Sequence, residues 1–405
     1  MATKSSIMDT NSYSDDYVSL LSATTKDMIS RREKWMGGAY RLFYRKPVNL
    51  VRGKGQYLWD AEGNKYLDMY NNVAGIGHCH PAVVEAVTEQ MKLLNTHTRY
   101  LHERIIDYSE DLLAMMPGEI DKIMFMCTGS EANDLALRVA QEYTGGTGII
   151  VSREAYHGTS ALTSGCSPAL GSEQPLLPNV RLIDTPDYYR HGGTPEEFTA
   201  WYSGEMQKKI DELAAAGYKF SCFLADSIFS SDGVHPNPVG FLKAAIDVVH
   251  KNGGVFIADE VQPGFARTGD AFWGFARHGI IPDMVTTGKP MGNGIPISGL
   301  AAKHEVLEAA KQHPAWETGK DNEYVEMTYQ TLLGLGQDVK KIYWQFGTDG
   351  SVICGKYNIP TIGYSGAMMS QAHQAQEHVE INRVLDCIEG YTAVLCKLYD
   401  LAIPE

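Results

Sequence analysis

Val255-Phe-Ile-Ala-Asp259-Glu260-Val-Gln262, followed at residues 282–290 by Pro282-Asp-Met-Val-Thr-Thr-Gly288-Lys289-Pro290, decides how this chain is read. Both are short apolar runs bounded by Gly, Pro or charge, the pattern of strands buried on both faces of a parallel sheet. The first run ends on a carboxylate, Asp259, and the second on an amine, Lys289. Ligands of open α/β sheets gather at the carboxyl ends of the strands. The acid and the amine are therefore expected to face one site. A lysine met alone is most often a solvated surface charge, a reading that the strand-end pairing with Asp259 displaces.

Outward from these runs the chain alternates short strands with helices. Strands are expected at Ile123–Cys127, Gly148–Ser152 and Phe220–Asp226, and helices at Glu131–Tyr143, Pro195–Ala215 and Phe241–Asn252. This rhythm predicts an α/β fold with a mainly parallel sheet and helices on both faces. Upstream, Val51–Asp60 and Lys65–Met69 read as a hairpin turning at Gly63-Asn64. A helix follows from Ala82, with Pro81 at its first position. His78 and His80 flank Cys79, but no further ligands stand at zinc spacing, so a loop-and-cap role is expected. Past Pro314 the character changes: a polar turn-rich stretch, a helix at Tyr324–Leu335, and a long amphipathic helix at Asn382–Leu401.

Composition narrows the class. A length of 405 residues implies two or three domains. The net charge of −14 argues against nucleic acid and against anionic membranes as partners. There is no apolar run long enough to span a bilayer, and the polar start carries no secretory signal pattern. The seven cysteines are odd in number and never spaced C-x-x-C. Most stand in apolar contexts, among them Cys127, Cys222 and Cys354. That usage fits a reducing cytosol, and a cytoplasmic protein is expected.

Thr128-Gly129-Ser130 follows a strand and opens a helix whose apolar stripe is Ala132, Leu135, Ala136, Val139 and Ala140. Free N–H groups, small hydroxyls and the helix dipole there make an anion site. Read alone it could equally be an ordinary N-cap. Combined with the Lys289–Asp259 pair it becomes a phosphate cup, and the three together suit pyridoxal 5′-phosphate. The lysine forms the Schiff base, and the acid keeps the pyridine nitrogen protonated so that the ring can draw electrons. Tyr156 could stack on the ring. Gln262 could hydrogen-bond the ring hydroxyl. Asp226 could touch the ring region or the substrate, or simply cap its strand.

Thr128-Gly-Ser-Glu-Ala-Asn, Tyr156-His-Gly, Ile257-Ala-Asp-Glu-Val-Gln262, Gly264-Phe-Ala-Arg-Thr-Gly269 and Thr287-Gly-Lys-Pro-Met-Gly-Asn-Gly294 together resemble the class III, fold type I aminotransferases over about residues 30–310. The resemblance implies Lys289 as the Schiff-base lysine, Asp259 on the pyridine nitrogen and Gln262 at the phenolic oxygen. It also implies Tyr156 as the stacking ring, Gly129 and Ser130 at the phosphate, and a homodimer with sites at the subunit boundary. Tyr70–Pro81 and Leu94–His102 are similar to the branch holding alanine–glyoxylate aminotransferase 2 and the phospholyases of phosphorylated amino alcohols. That family usually has glutamate where this chain has Asp226. Its threonine-bearing loop and its small C-terminal domain are not found.

Instead, Phe346–Gly350, Ile359–Gly363, Ala372-His373 and Glu377 resemble the C-terminal end of M20-type metallopeptidases, and the chain reads as a fusion. There His373 would match a late metal ligand. The other ligands of a dinuclear site are absent, so no metal site is expected. The expected organisation is a tail, helix and hairpin (1–70), a cofactor-binding large domain (71–312) and an M20-like segment (315–405). The expected activity is transfer of an amino group from an amine or amino acid to a 2-oxo acid. The alternatives are phosphate elimination from a phosphorylated amino alcohol, a metal-dependent amidohydrolase, or an inactive fusion.

Overall fold

A computed structural model describes residues 11–38, 40–309, 322–341, 362–364 and 381–401. Contacts divide the chain into Met1–Lys311 and Gln312–Glu405. The first unit holds strands β1 (Leu50–Lys54), β2 (Tyr57–Asp60), β3 (Lys65–Leu67), β4 (Ile120–Met126), β5 (Gly148–Ser152), β6 (Val180–Ile183), β7 (Phe220–Ala225), β8 (Val255–Asp259), β9 (Met284–Thr287) and β10 (Ser298–Lys303). Its helices are α1 (Ala23–Trp35), α2 (Pro81–Leu93), α3 (Glu103–Ala114), α4 (Gly129–Thr144), α5 (Ala161–Ser164), α6 (Tyr188–His191), α7 (Pro195–Ala215), α8 (Phe241–Lys251) and α9 (His304–Ala309).

The main sheet is seven-stranded in the order β4-β10-β9-β8-β7-β5-β6. Strands β6, β5, β7, β8 and β9 run parallel. Strand β10 runs antiparallel to both β9 and β4. The mainly parallel α/β expectation holds, but β6 and the reversed β10 were not among the expected strands. Successive side chains of β8 point to opposite faces. Phe256 and Ala258 enter one core with α7 and α8, while Val255 and Ile257 enter the other with α4 and α9. Burial on both faces is why the run reads as continuously apolar.

Sheet order builds the site. Strands β7, β8 and β9 are adjacent and parallel, with Ala225 beside Ala258 and Asp259 beside Thr286. Their carboxyl ends set Asp226, Asp259 and Lys289 side by side, and α4 starts just beyond the end of β4.

Several local expectations are corrected. Val51–Asp60 is not one strand: it turns at Gly55 (φ +57°), so β1, β2 and β3 form a three-stranded meander. On α4, Leu137 rather than Leu135 takes the deep position. Cys127, one residue beyond β4, is exposed rather than apolar-packed. Pro81 does open α2, behind His80 at the N-cap. His78 Nε2 bonds Asp68 Oδ2 at 2.6 Å, a loop contact, and among the described residues no His/Cys/Asp/Glu group is arranged for a metal. No described helix is long and apolar enough to cross a membrane.

In the second unit α10 (Glu323–Gly334) packs on α11 (Ile381–Leu398), and the Tyr391 hydroxyl donates to the Tyr364 carbonyl. Phe346–Gly350, His373 and Glu377 lie outside the described residues, as does Cys354.

Candidate active site

The N-terminus of α4 is fixed by a capping box. Thr128 Oγ1 accepts from Glu131 N at 3.2 Å, and Glu131 Oε2 accepts from Thr128 N at 2.8 Å. Ala132 N bonds Thr128 O. The first turn of a helix has N–H groups without intrahelical partners, and those of Gly129 and Ser130 are left for a ligand's oxygens. Ser130 Oγ accepts from Thr159 N at 3.1 Å, which docks the loop after β5 on this turn.

That loop requires glycine at 158. Its φ is +138°, and a Cβ there would lie 2.5 Å from Ser130 Oγ. A Cβ at Gly129 would lie 2.9 Å from Val261 Cγ1. Gly158→Ala is therefore expected to destabilise the protein by about 1–3 kcal/mol and to weaken cofactor binding. Urea unfolding and cofactor titration read both effects. Unchanged stability would show a loop free to move off Ser130.

Asp259 ends β8 and is buried. Its Oδ2 accepts from His157 Nδ1 at 2.7 Å and from Asn133 Nδ2 at 2.9 Å, and its Oδ1 from Val261 N at 3.1 Å. Asn133 is itself held, its Oδ1 accepting from Thr286 Oγ1 at 2.6 Å and its Nδ2 also donating to His157 O at 2.8 Å. These donors fix the direction of the buried carboxylate. His157 N donates to Ser167 Oγ at 2.8 Å, and its buried Nε2 has no partner among the described residues. A carboxylate oxygen only accepts, so His157 Nδ1 carries the proton of this contact. Glu260, the residue after β8, points away and accepts from Ser227 Oγ, Gly274 N and Phe275 N. Burial pushes its pKa up to about 7.

Lys289 stands two residues past β9 with φ +39°, a backbone conformation rare for a residue with a Cβ. Nζ donates to Gln262 Oε1 at 3.0 Å. Burial lowers its pKa, opposed by the charges of Asp259 and Asp226. More of the amine is therefore neutral and nucleophilic at a given pH than on an exposed lysine. Asp226 accepts from Ile228 N, Ser230 N and the Ser230 hydroxyl. Burial pushes its pKa up to about 6. Tyr156 keeps 42% of its surface exposed, leaving much of the ring to a planar ligand. Its pKa is raised by burial, then by Asp259.

Gly129, Ser130, Tyr156, Asp226, Asp259, Gln262 and Lys289 all line one open cleft of about 150 Å³. Thr128 is not part of that lining, its side chain being spent on the cap. The sequence reading missed Asn133, His157, Ser230 and Ser231, which line the same cleft. Asn133 left a signal, as a polar residue beside the apolar stripe of α4. The parts fit pyridoxal phosphate: glycines that let backbone approach, free N–H groups for the phosphate, a hydrogen-bonded carboxyl group for the ring nitrogen and an amine for the aldehyde.

Sheet, helix N-terminus and strand-end acid and amine define a fold type I cofactor scaffold. The chain belongs to the aminotransferase class-III family, whose profile matches residues 43–318. Family and donor set together make pyridoxal 5′-phosphate its cofactor. An alanine–glyoxylate aminotransferase 2-like protein of Drosophila melanogaster is 38% identical over 294 residues, 70% of this chain and 59% of that one. An ethanolamine-phosphate phospho-lyase homolog of Caenorhabditis elegans is 34% identical, over 71% of this chain and 66% of its own. A solved phospholyase from Arthrobacter, in complex with phosphoethanolamine, is 39% identical with a TM-score of 0.67, covering 70% of this chain and 68% of that one. The chain thus spans less than two thirds of the length of the curated relatives it matches.

Proposed function

We propose that this chain is an aminotransferase that moves an amino group from an amine or amino acid to a 2-oxo acid. The observation that carries the reading is the meeting of Lys289, Asp259 and the free N-terminus of α4 in one cleft. When bound, pyridoxal phosphate supplies an electron sink for the carbon bearing the substrate's amine. Gly129 and Ser130 hold the phosphate through their N–H groups. Asp259, steadied by His157 and Asn133, keeps a proton on the ring nitrogen. Tyr156 flanks the ring. Lys289 Nζ would hold the cofactor through its aldehyde, and is the amine that would take and return the proton of the amine-bearing carbon.

A second reading, elimination of phosphate from a phosphorylated amino alcohol, is favoured by the 39% identity to the Arthrobacter phospholyase. Both chemistries begin with the same proton transfer and differ in what leaves. The protein is also proposed to act as a homodimer. Helix α2 buries none of its residues, and Met69, Leu93 and Leu101 are 85%, 79% and 97% exposed, apolar surface that a second copy would cover.

One experiment separates the chemistries. With alanine and glyoxylate, transamination yields pyruvate and glycine without free ammonia. With ethanolamine phosphate alone, elimination yields inorganic phosphate and ammonia and needs no 2-oxo acid. Oxo-acid exchange without phosphate release is expected, and the reverse pattern would replace the first reading with the second. Light scattering decides the dimer.

A further inference from the structure

The segment 72–77, between β3 and α2, is absent from the cleft's lining but reaches both loops that carry cofactor-facing groups. Asn72 Nδ2 donates to Gln262 Oε1 at 3.1 Å, the same oxygen that accepts from Lys289 Nζ at 3.0 Å. Arg267 staples the contact, with Nε on Gln262 O at 2.7 Å and Nη2 on Asn72 O at 2.6 Å. Farther along, Asn293 Oδ1 accepts from Ile76 N at 3.1 Å, and Asn293 Nδ2 donates to Gly77 O at 3.0 Å. Asn293 closes the short turn that begins at Lys289. One strap is thus tied to the loop after β8 and to the turn after β9.

The chemistry of an amide gives this strap a consequence. The two ends of a glutamine side chain are opposite in character, an acceptor oxygen and a donor NH₂. Asn72 and Lys289 both present donors, so Oε1 of Gln262 must face them. Its Nε2 is then left to donate elsewhere. We propose that Asn72 is a positioning residue: it fixes the Gln262 amide with Oε1 on Lys289 and Nε2 toward the cofactor's phenolic oxygen. The strap 72–77 thereby sets the Lys289 turn and the Gln262 loop in mutual register. This rests on the cofactor reading above.

Asn72→Asp tests it, because a carboxylate accepts only. The Gln262 amide then turns over, Nε2 meets the new carboxylate, and Oε1 faces the phenolic oxygen. An oxygen there in place of a donor makes the cofactor hold its proton more tightly. The visible absorbance band of the cofactor-loaded protein is expected to titrate about one unit higher, tenfold in the proton equilibrium, with an unchanged melting temperature. In a Gln262→Ala background the same substitution is expected to move the midpoint little, since the effect passes through that amide. A shift of equal size in both backgrounds would mean a bare charge effect and overturn the proposal. If Asn72→Asp does not fold, Asn72→Ala in the two backgrounds makes the same comparison, with a smaller upward move expected only where Gln262 is present. A normal band in the unsubstituted protein that neither variant moves overturns this proposal alone. No band in the unsubstituted protein overturns the cofactor reading and this proposal with it.

Discussion

Lys289→Ala is expected to abolish covalent attachment of pyridoxal phosphate while leaving the fold in place. The side chain makes one hydrogen bond, to Gln262 Oε1, and its loss removes little from either core. What it removes is the amine of the cleft, since no other lysine is in the lining. Exposed lysines compete poorly for the aldehyde because they stay protonated, whereas burial lowers the pKa of Lys289. Loading with cofactor, borohydride reduction and peptide mapping should place the label on the peptide spanning residue 289 of the parent and nowhere in the variant. Non-covalent affinity should survive in part through Gly129 and Ser130. A main label on any other residue removes Lys289 from its role and takes the proposed mechanism with it.

Part of this architecture was open to a reader of the sequence, because it is local. The runs of β5, β7, β8 and β9 are mostly apolar and buried at every position, since both faces of each strand are covered, and each is closed by Gly, Pro or charge. The functional groups sit at those closures, so finding the strand ends found Asp226, Asp259 and Lys289. The capping box of α4 was equally local. It accounts for Thr128, whose hydroxyl satisfies the helix while its two successors offer N–H groups to a ligand.

What stayed hidden is non-local. Strand β10 is Ser298-Gly-Leu-Ala-Ala-Lys303, small residues with weak strand preference that pair only because β4 and β9 leave a gap between them. The carboxylate of Asp259 meets Asn133 and His157 from 126 and 102 positions away. Asn72 meets Gln262 from 190 positions away. Pairings over such separations leave no period or spacing in the sequence. At most a polar residue stands beside an apolar stripe, as Asn133 does on α4.

Asp259→Asn is expected to keep the cofactor attached and to slow proton transfer at the amine-bearing carbon by about a thousandfold or more, roughly 4 kcal/mol of barrier. The substitution preserves shape and removes charge, and a neutral partner does not hold a proton on the ring nitrogen. The surroundings resist the amide as well. Oδ2 receives donors from His157 and Asn133, and Oδ1 receives Val261 N, so an NH₂ at either position faces a donor. His157 can relieve one clash by accepting at Nδ1, but its proton then moves to Nε2, which is buried without a partner. Leaving a buried donor unpaired costs about 1–3 kcal/mol, so a fall in stability should accompany the fall in rate. The two effects separate with a cofactor analogue methylated on the ring nitrogen, whose positive charge is permanent. Deuterium exchange at the substrate carbon should be slow in the variant with the ordinary cofactor and should recover substantially with the methylated one, while the stability deficit persists. Near-parent exchange with the ordinary cofactor would show that Asp259 does not face the ring nitrogen and that its bonds to His157 and Asn133 serve only the fold.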